Sequence, residues 1–356
     1  MARTRIAVIG AGLIGRKHLG ILASDPAFEV AGIADPAPQA EAYAREHGFA
    51  CFKDSEALLD ATRPDGAIIA GPNVTHLAGA LACAARRIPA IVEKPVADTV
   101  ADALRIVAAA RQANVPMLTG HHRRHNPIMQ LARDFVASGA IGRIVAVNAM
   151  WLCRKPDDYF NVAWRREAGG GPVLINAIHD IDCLRMVVGE IDSAQAQTAR
   201  AARGLAVEDA CAAVLNFASG ALGTLILADS TAAPWNWEVT ARDSAISPGE
   251  IENCFHVAGT AGGLAIPQLQ HWSYDKPGGA WADPLTRRTL PVRHADPYPR
   301  QLHHFARVIR GEEAPLIDVA EGTRTLATTL AIAESAKTGR PVRVADLLGA
   351  EPSPAR

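Results

Sequence analysis

Three glycines near the amino end, Gly10, Gly12 and Gly15, fall at the G-x-G-x-x-G spacing that brings a backbone close to a pyrophosphate. Gly10 permits the tight turn, Gly12 lets the chain approach the phosphates, and Gly15 lets a helix pack closely on a strand. The N–H groups of Leu13 and Ile14 then face the anion at the helix start. The triplet alone is a weak signal, because glycine-tolerant turns are common. Asp35, 20 residues beyond Gly15, stands where an acid at the end of the next strand meets the ribose hydroxyls. A carboxylate there accepts hydrogen bonds from those hydroxyls and repels a 2′-phosphate, so NAD is the expected cofactor and NADP is disfavoured. Two further strings fall at predicted strand ends, Gly71-Pro72-Asn73-Val74-Thr75-His76 and Glu93-Lys94-Pro95. Pro95 biases Lys94 toward extended angles. Its ammonium is then either a solvated strand-end charge or a group facing the crevice at the sheet edge, and Asn73 is either a helix N-cap or part of that crevice.

These residues need elements to hold them. Residues 6–9 predict a strand running into the glycines, and 13–23 the helix leaving them. A strand at 30–34 ends at Asp35, and the alternation continues with helix 40–47, strand 66–70, helix 75–87, strand 90–92, helix 100–113 and strand 115–119. That βαβ order predicts an α/β domain, a doubly wound parallel sheet of Rossmann type, over residues 1–122. Further on, 174–188 predicts a helix entered from Gly169-Gly170-Gly171 and Pro172. At about 100° per residue Leu174, Ile178, Ile181, Leu184 and Val188 form an apolar stripe. Asn176, His179, Asp180 and Cys183 lie opposite, on a polar face that is either solvated or turned to a cleft. Strand-like stretches at 194–198, 210–217, 223–227, 237–240, 254–258 and 264–266 then follow without helices between them. They predict a mainly antiparallel open sheet in an α+β domain over 123–345. Helices at 299–309 and 320–337 close the chain, Gly339-Arg340-Pro341 is a stop signal, and 346–356 is expected to fray.

The chain's 356 residues, 49% hydrophobic and 21% charged, suit two globular domains. With 36 basic residues against 37 acidic ones, no charge excess draws nucleic acid or an anionic membrane. Apolar runs stop short of the roughly 20 residues of a membrane span. Cys51, Cys83, Cys153, Cys183, Cys211 and Cys254 lie far apart without a CxxC pair, so a reducing, cytoplasmic compartment is expected. Arg3 and Arg5 before an apolar run imitate a secretion leader, but that run holds the three glycines, and Arg16, Lys17 and His18 stand where a cleavage site belongs.

Together, Gly10-Ala11-Gly12-Leu13-Ile14-Gly15, Pro72-Asn73 with His76, Glu93-Lys94-Pro95 and Gly120-His121-His122-Arg123-Arg124-His125-Asn126-Pro127 resemble the glucose-fructose oxidoreductase/inositol dehydrogenase family (Gfo/Idh/MocA). The likeness continues through Gly169-Gly170-Gly171 and His179-Asp180-Ile181-Asp182 to 298–342. It implies an NAD-dependent enzyme that oxidises a secondary alcohol of a sugar, inositol or related cyclic polyol and works as a homo-oligomer, a dimer or tetramer. It further implies that the Lys94 ammonium is hydrogen-bonded to the reacting oxygen while His179, of ordinary pKa about 6.5, takes the proton. Pro72, Asn73, His76 and Glu93 fall on the cofactor side, and Arg123, Trp164 and Tyr298 lie in segments the family places near the nicotinamide or substrate.

Two positions depart from the family. Many members carry a carboxylate four residues before the histidine, where this chain has Ile175, followed by Asn176. An amide can fix a ring tautomer but cannot neutralise an imidazolium, so Lys94 is expected to bear more of the acid/base burden and Asn176 to hold a substrate hydroxyl. His122 stands where the family commonly has Asn. Three other activities remain open: an NAD-dependent glycoside hydrolase on the same scaffold, a non-catalytic dinucleotide-binding sensor, and a Rossmann methyltransferase, which would leave Lys94 and His179 without a purpose. A metal is not expected, since His121, His122 and His125, His179 with Asp182 or Cys183, and His303-His304 match no recognised ligand pattern.

Overall fold

The computed structural model describes residues 3–167, 169–242, 248–276 and 278–349. They form two compact units. In the first, strands β1 (Thr4–Ile9), β2 (Phe28–Ala34), β3 (Cys51–Phe52), β4 (Gly66–Ile69), β5 (Ala90–Val92) and β6 (Met117–Thr119) make a six-stranded sheet in the order β3-β2-β1-β4-β5-β6. Every pairing is parallel. Helices α1 (Leu13–Ser24), α2 (Pro38–His47), α3 (Ser55–Thr62), α4 (His76–Ala85) and α5 (Val100–Ala113) make the crossovers. With both faces covered, β4 and β5 are apolar and buried at every residue rather than alternating. Strand order reverses between β1 and β4, so a crevice opens at their carboxyl ends, where Gly10 and Gly71 stand.

The second unit carries α6 (Pro127–Ala137), β7 (Ile144–Leu152), α7 (Ile178–Val187), β8 (Ile191–Ala199), β9 (Ala210–Phe217), β10 (Leu222–Ala228), α8 (Trp237–Thr240), β11 (Phe255–Gly259), β12 (Gly263–Ile266), β13 (Gln270–Tyr274) and β14 (Leu285–Thr289). These strands and β15 (Val342–Arg343) form a nine-stranded sheet ordered β14-β13-β12-β11-β7-β10-β9-β8-β15. Among its described pairings β7 and β10 run parallel and the others antiparallel. Alternation is clean in β9 and β10: Cys211, Ala213, Leu215, Leu225 and Leu227 are buried, while Val214, Leu222 and Ile226 face solvent.

Two sequence expectations need correction here. Residues 237–240, expected as a strand from β-branched Val239 and Thr240, form the helical turn α8, because the Asn236 side chain accepts the Val239 N–H at 3.0 Å and caps it. The helix expected at 174–188 begins instead with a π-helical turn at Val173–Ala177 and becomes α-helical only at Ile178. Residues 346 and 347 of the expected tail belong to helix α11 (Val344–Leu347); residues 350–356 lie outside the described residues.

The chain closes with α9 (Pro297–Ile309) and α10 (Val319–Thr338). Pro297–Leu326 packs with the first unit. The reason is a single apolar face: Leu302, Phe305, Ala306 and Val308 of α9 are buried in one cluster with Ile6, Leu19, Phe28 and Ile68. His303 reaches Asp25 at 2.8 Å, and the Thr119 N–H donates to Ile317 O at 3.2 Å.

Candidate active site

The glycine turn meets its geometric demands. Gly10 has φ +96°, and a Cβ there would collide with the backbone of Gly71, while a Cβ on Gly15 would run into the Gly10 carbonyl. Gly12 borders open space and caps α1 without a side chain, leaving the first N–H groups of the helix to a ligand. Leu13, 83% exposed, is an apolar surface at the same spot. Open backbone donors and a positive helix end fit the pyrophosphate of a dinucleotide.

Asp35 has a structural task that spacing did not disclose. Its Oδ2 accepts the Ala11 N–H at 2.7 Å and its Oδ1 accepts that of Ala37 at 2.9 Å, so the acid clamps the glycine turn. Each oxygen keeps a lone pair for a ribose hydroxyl. Arg16, missed in the sequence, lies beside it, donating from Nε to Ala11 O at 3.0 Å and lying over the Tyr43 ring at 4.7 Å.

Past β4, Pro72 and Asn73 lead into a 3-10 turn, Asn73–Thr75; α4 has Thr75 at its N-cap, so Asn73 is not the cap of that helix. His76 is buried, with Nε2 3.0 Å from Gly71 O and Nδ1 2.9 Å from Pro95 O; in its neutral form it donates to one of these carbonyls and packs between the loops after β4 and β5. Burial lowers its pKa below 6.5 against the pull of those carbonyls.

Glu93 sits under the Lys94 backbone. Its Oε1 accepts from His18 Nε2 at 2.8 Å, and its Oε2 from the Lys94 N–H at 3.3 Å. Burial alone would raise this carboxyl, but the His18 hydrogen bond and charge, joined by Lys94, outweigh it and hold the group below its ordinary value. An ionised glutamate thus underpins the half-buried lysine at the carboxyl edge of β5. Tyr298 is packed nearby, with Lys17 Nζ 3.5 Å from its ring centroid and the His122 ring stacked at 4.3 Å. Desolvation, then the charges of Arg123, Lys17 and Lys94, pushes His122 well below 6.5, so this imidazole is neutral. Arg123 itself is buried, at 2% exposure.

In the second unit Asn176 lies in the π-helical turn and His179 in the first turn of α7. The polar stripe of that helix is buried rather than solvated: His179 is 9% exposed, Asp180 0% and Cys183 1%. Ile175 supplies no carboxylate. Asn176 Oδ1 instead takes a hydrogen bond from Lys155 Nζ at 2.8 Å. Sequence reasoning passed over Lys155, which is buried, faces Asp229 Oδ2 at 3.3 Å and lies 4.7 Å from the Tyr159 ring centroid. Arg203 also pairs with Asp229. Because an ammonium can only donate, the amide oxygen must face Lys155. Through that oxygen Asn176 does not orient an imidazole, as the sequence allowed; it is an amide held by its oxygen with its NH2 group left to donate. Trp164, 51% exposed, stands in the 3-10 turn Ala163–Arg166.

Among the described residues no group of three or more His, Cys, Asp or Glu side chains is arranged to hold a metal, and no helix is long and apolar enough to cross a membrane.

A parallel sheet with a glycine turn and acid at its switch point, joined to a unit built on an open mixed sheet, defines a nicotinamide-dinucleotide enzyme. Residues 4–121 match the oxidoreductase family model described as an NAD-binding Rossmann fold, and 133–344 match its C-terminal alpha/beta domain. The chain belongs to the Gfo/Idh/MocA oxidoreductase family and is an NAD-dependent oxidoreductase. It is 29% identical over 354 residues to 1,5-anhydro-D-fructose reductase of Ensifer adhaerens, covering 96% of this chain and 98% of that one. Among solved structures it is similar to an oxidoreductase from Agrobacterium radiobacter in complex with NAD+, L-tartaric acid and magnesium (TM-score 0.81, 21% identity, 98% of this chain and 100% of the other). It is also similar to scyllo-inositol dehydrogenase from Lactobacillus casei with bound NAD(H) and scyllo-inositol (TM-score 0.77, 18% identity, 97% and 100%).

Proposed function

We propose that this enzyme oxidises a secondary hydroxyl of a sugar, inositol or related polyol, with Lys94 and His179 as its catalytic pair. The observation that carries the reading is the seat of Lys94. It leaves β5 at the same sheet edge as the glycine turn, with β4 between it and β1, over an ionised glutamate. Gly10, Gly12, Leu13, Ile14, Gly15 and Asp35 would hold NAD, with Pro72, Asn73 and His76 shaping the adjoining loop. Bound NAD supplies the hydride acceptor. The Lys94 ammonium donates to the reacting oxygen and stabilises the developing alkoxide, and His179 removes the hydroxyl proton. Asn176 donates to a second substrate oxygen. Arg123, Trp164 and Tyr298 would complete the substrate side, with the Arg123 charge helping to keep His122 neutral. The relatives named for anhydrofructose and scyllo-inositol support the substrate class. Solvent-facing Val214, Leu222 and Ile226 on the nine-stranded sheet support a homo-oligomer formed through that face.

The test follows absorbance of reduced nicotinamide with NAD and a panel of sugars, inositols and cyclic diols. Lys94→Ala is expected to lower kcat by about 10²–10⁴. Turnover that survives Lys94→Ala but vanishes in His179→Ala would overturn the assignment. Tight NAD binding with no NADH from any member of the panel would favour the hydrolase or the sensor.

A further inference from the structure

The surroundings of Asn176 say more about the substrate than the chain's near-zero net charge does. Lys155 has three N–H donors, of which one goes to Asn176 Oδ1 and one to Asp229. Its ammonium and the Arg165 guanidinium lie against the same Tyr159 ring, at 4.7 and 3.9 Å from the centroid. Among the described residues the Arg165 Nε–H is buried without a hydrogen-bond acceptor.

The neighbouring acids are already engaged. Asp229, 1% exposed, is shared by Lys155 and Arg203. Glu208 accepts the Val173 N–H at 3.0 Å, and burial raises its carboxyl above the ordinary value. What remains for a ligand is therefore a set of donors: the third Lys155 N–H, the Asn176 NH2 and the Arg165 Nε–H. A polyol hydroxyl both donates and accepts, whereas a carboxylate only accepts. A donor set of positive charge is matched by the second kind of group.

We propose that Lys155, Asn176 and Arg165 form a subsite that grips a carboxylate of the substrate, so that the alcohol oxidised belongs to a sugar acid or other polyhydroxy acid rather than to a neutral polyol. The inference rests on the oxidoreductase reading and narrows its substrate class. Lys155 has two parts in it: it contacts the carboxylate, and through Asn176 Oδ1 it presents the amide as a donor. Asp229 and Arg203 hold the lysine in place.

The experiment titrates NAD-saturated protein calorimetrically with two matched pairs, D-gluconate against D-glucitol and D-galacturonate against D-galactose. At least one acid is expected to bind about tenfold or more tighter than its neutral partner, the worth of one charge-assisted hydrogen bond. Lys155→Met should reduce that advantage to about threefold or less, Lys155→Arg should retain part of it, and NAD affinity should stay unchanged in both. Arg165→Gln, at a half-buried site, gives the same readout should Lys155→Met fail to fold. Equal binding of acid and neutral partner in both pairs overturns the proposal, as does an acid preference that survives Lys155→Met or, where that variant does not fold, Arg165→Gln. Failure of the oxidoreductase reading shows separately, as acids that bind selectively and yield no NADH; that result upholds the subsite and removes the reaction.

Discussion

His18 and Glu93 meet through a buried 2.8 Å hydrogen bond that joins the second turn of α1 to the residue before Lys94. Glu93→Gln would leave His18 facing an amide, and a loss of roughly 3–5 kcal/mol is expected for breaking one side of a buried pair. The pH dependence has a definite sign. A carboxyl held below its ordinary value of 4.5 stabilises the fold above that value, and the contribution fades as pH falls through the lower, folded-state pKa. Thermal melts of wild type and Glu93→Gln should therefore be well separated at pH 7 and converge in acid; a constant gap would refute the linkage.

Asp35 and Arg16 both bind Ala11, one at its N–H and the other at its carbonyl. Asp35→Ser removes the charge that repels a 2′-phosphate and leaves the guanidinium beside the site. The KM for NAD should rise about tenfold or more, and the NADP/NAD ratio of kcat/KM should rise by about as much. Coenzyme kinetics on one substrate decide this, and an unchanged ratio would count against Asp35 as the discriminator.

Ile175→Asp restores the carboxylate that the family resemblance places before His179. A nearby negative charge favours the imidazolium, so the acid limb of kcat/KM should move to higher pH by about one unit. A limb that stays put would mean that residue 175 does not reach the ring.

Leu222 and Ile226 project from β10 on the solvent side, and Val214 from β9 beside them. Val214→Lys with Ile226→Lys puts charge into the suggested oligomer face. Sedimentation should show a smaller species than wild type, with NAD affinity retained; an unchanged mass would place the interface elsewhere.

Cofactor chemistry was legible in the sequence because it is local. Gly10, Gly12, Gly15 and Asp35 fall within one strand–helix–strand unit, and close backbone approach dictates glycine at 10 and 15. The substrate side was not, since Lys155 meets Asn176 across 21 positions and only the fold brings Asp229 to it. A lone lysine in sequence looks like surface. Strand β7 escaped notice although it lies near the middle of its sheet, and α8 was misread because Asn236 outweighs the β-branched residues it caps. Periodicity puts His179 on a polar stripe, but burial of that stripe depends on neighbours no periodicity reveals.

The packing of α9 on the dinucleotide unit also bears on how the protein is made. Ile6, Leu19 and Phe28 leave the ribosome early, while Leu302 and Phe305, which complete their cluster, come nearly 300 residues later. The part of that cluster which α9 closes stays open while the whole second unit is synthesised. A chaperone that shields it during translation would therefore raise the folded yield of this enzyme more than one that acts after chain release.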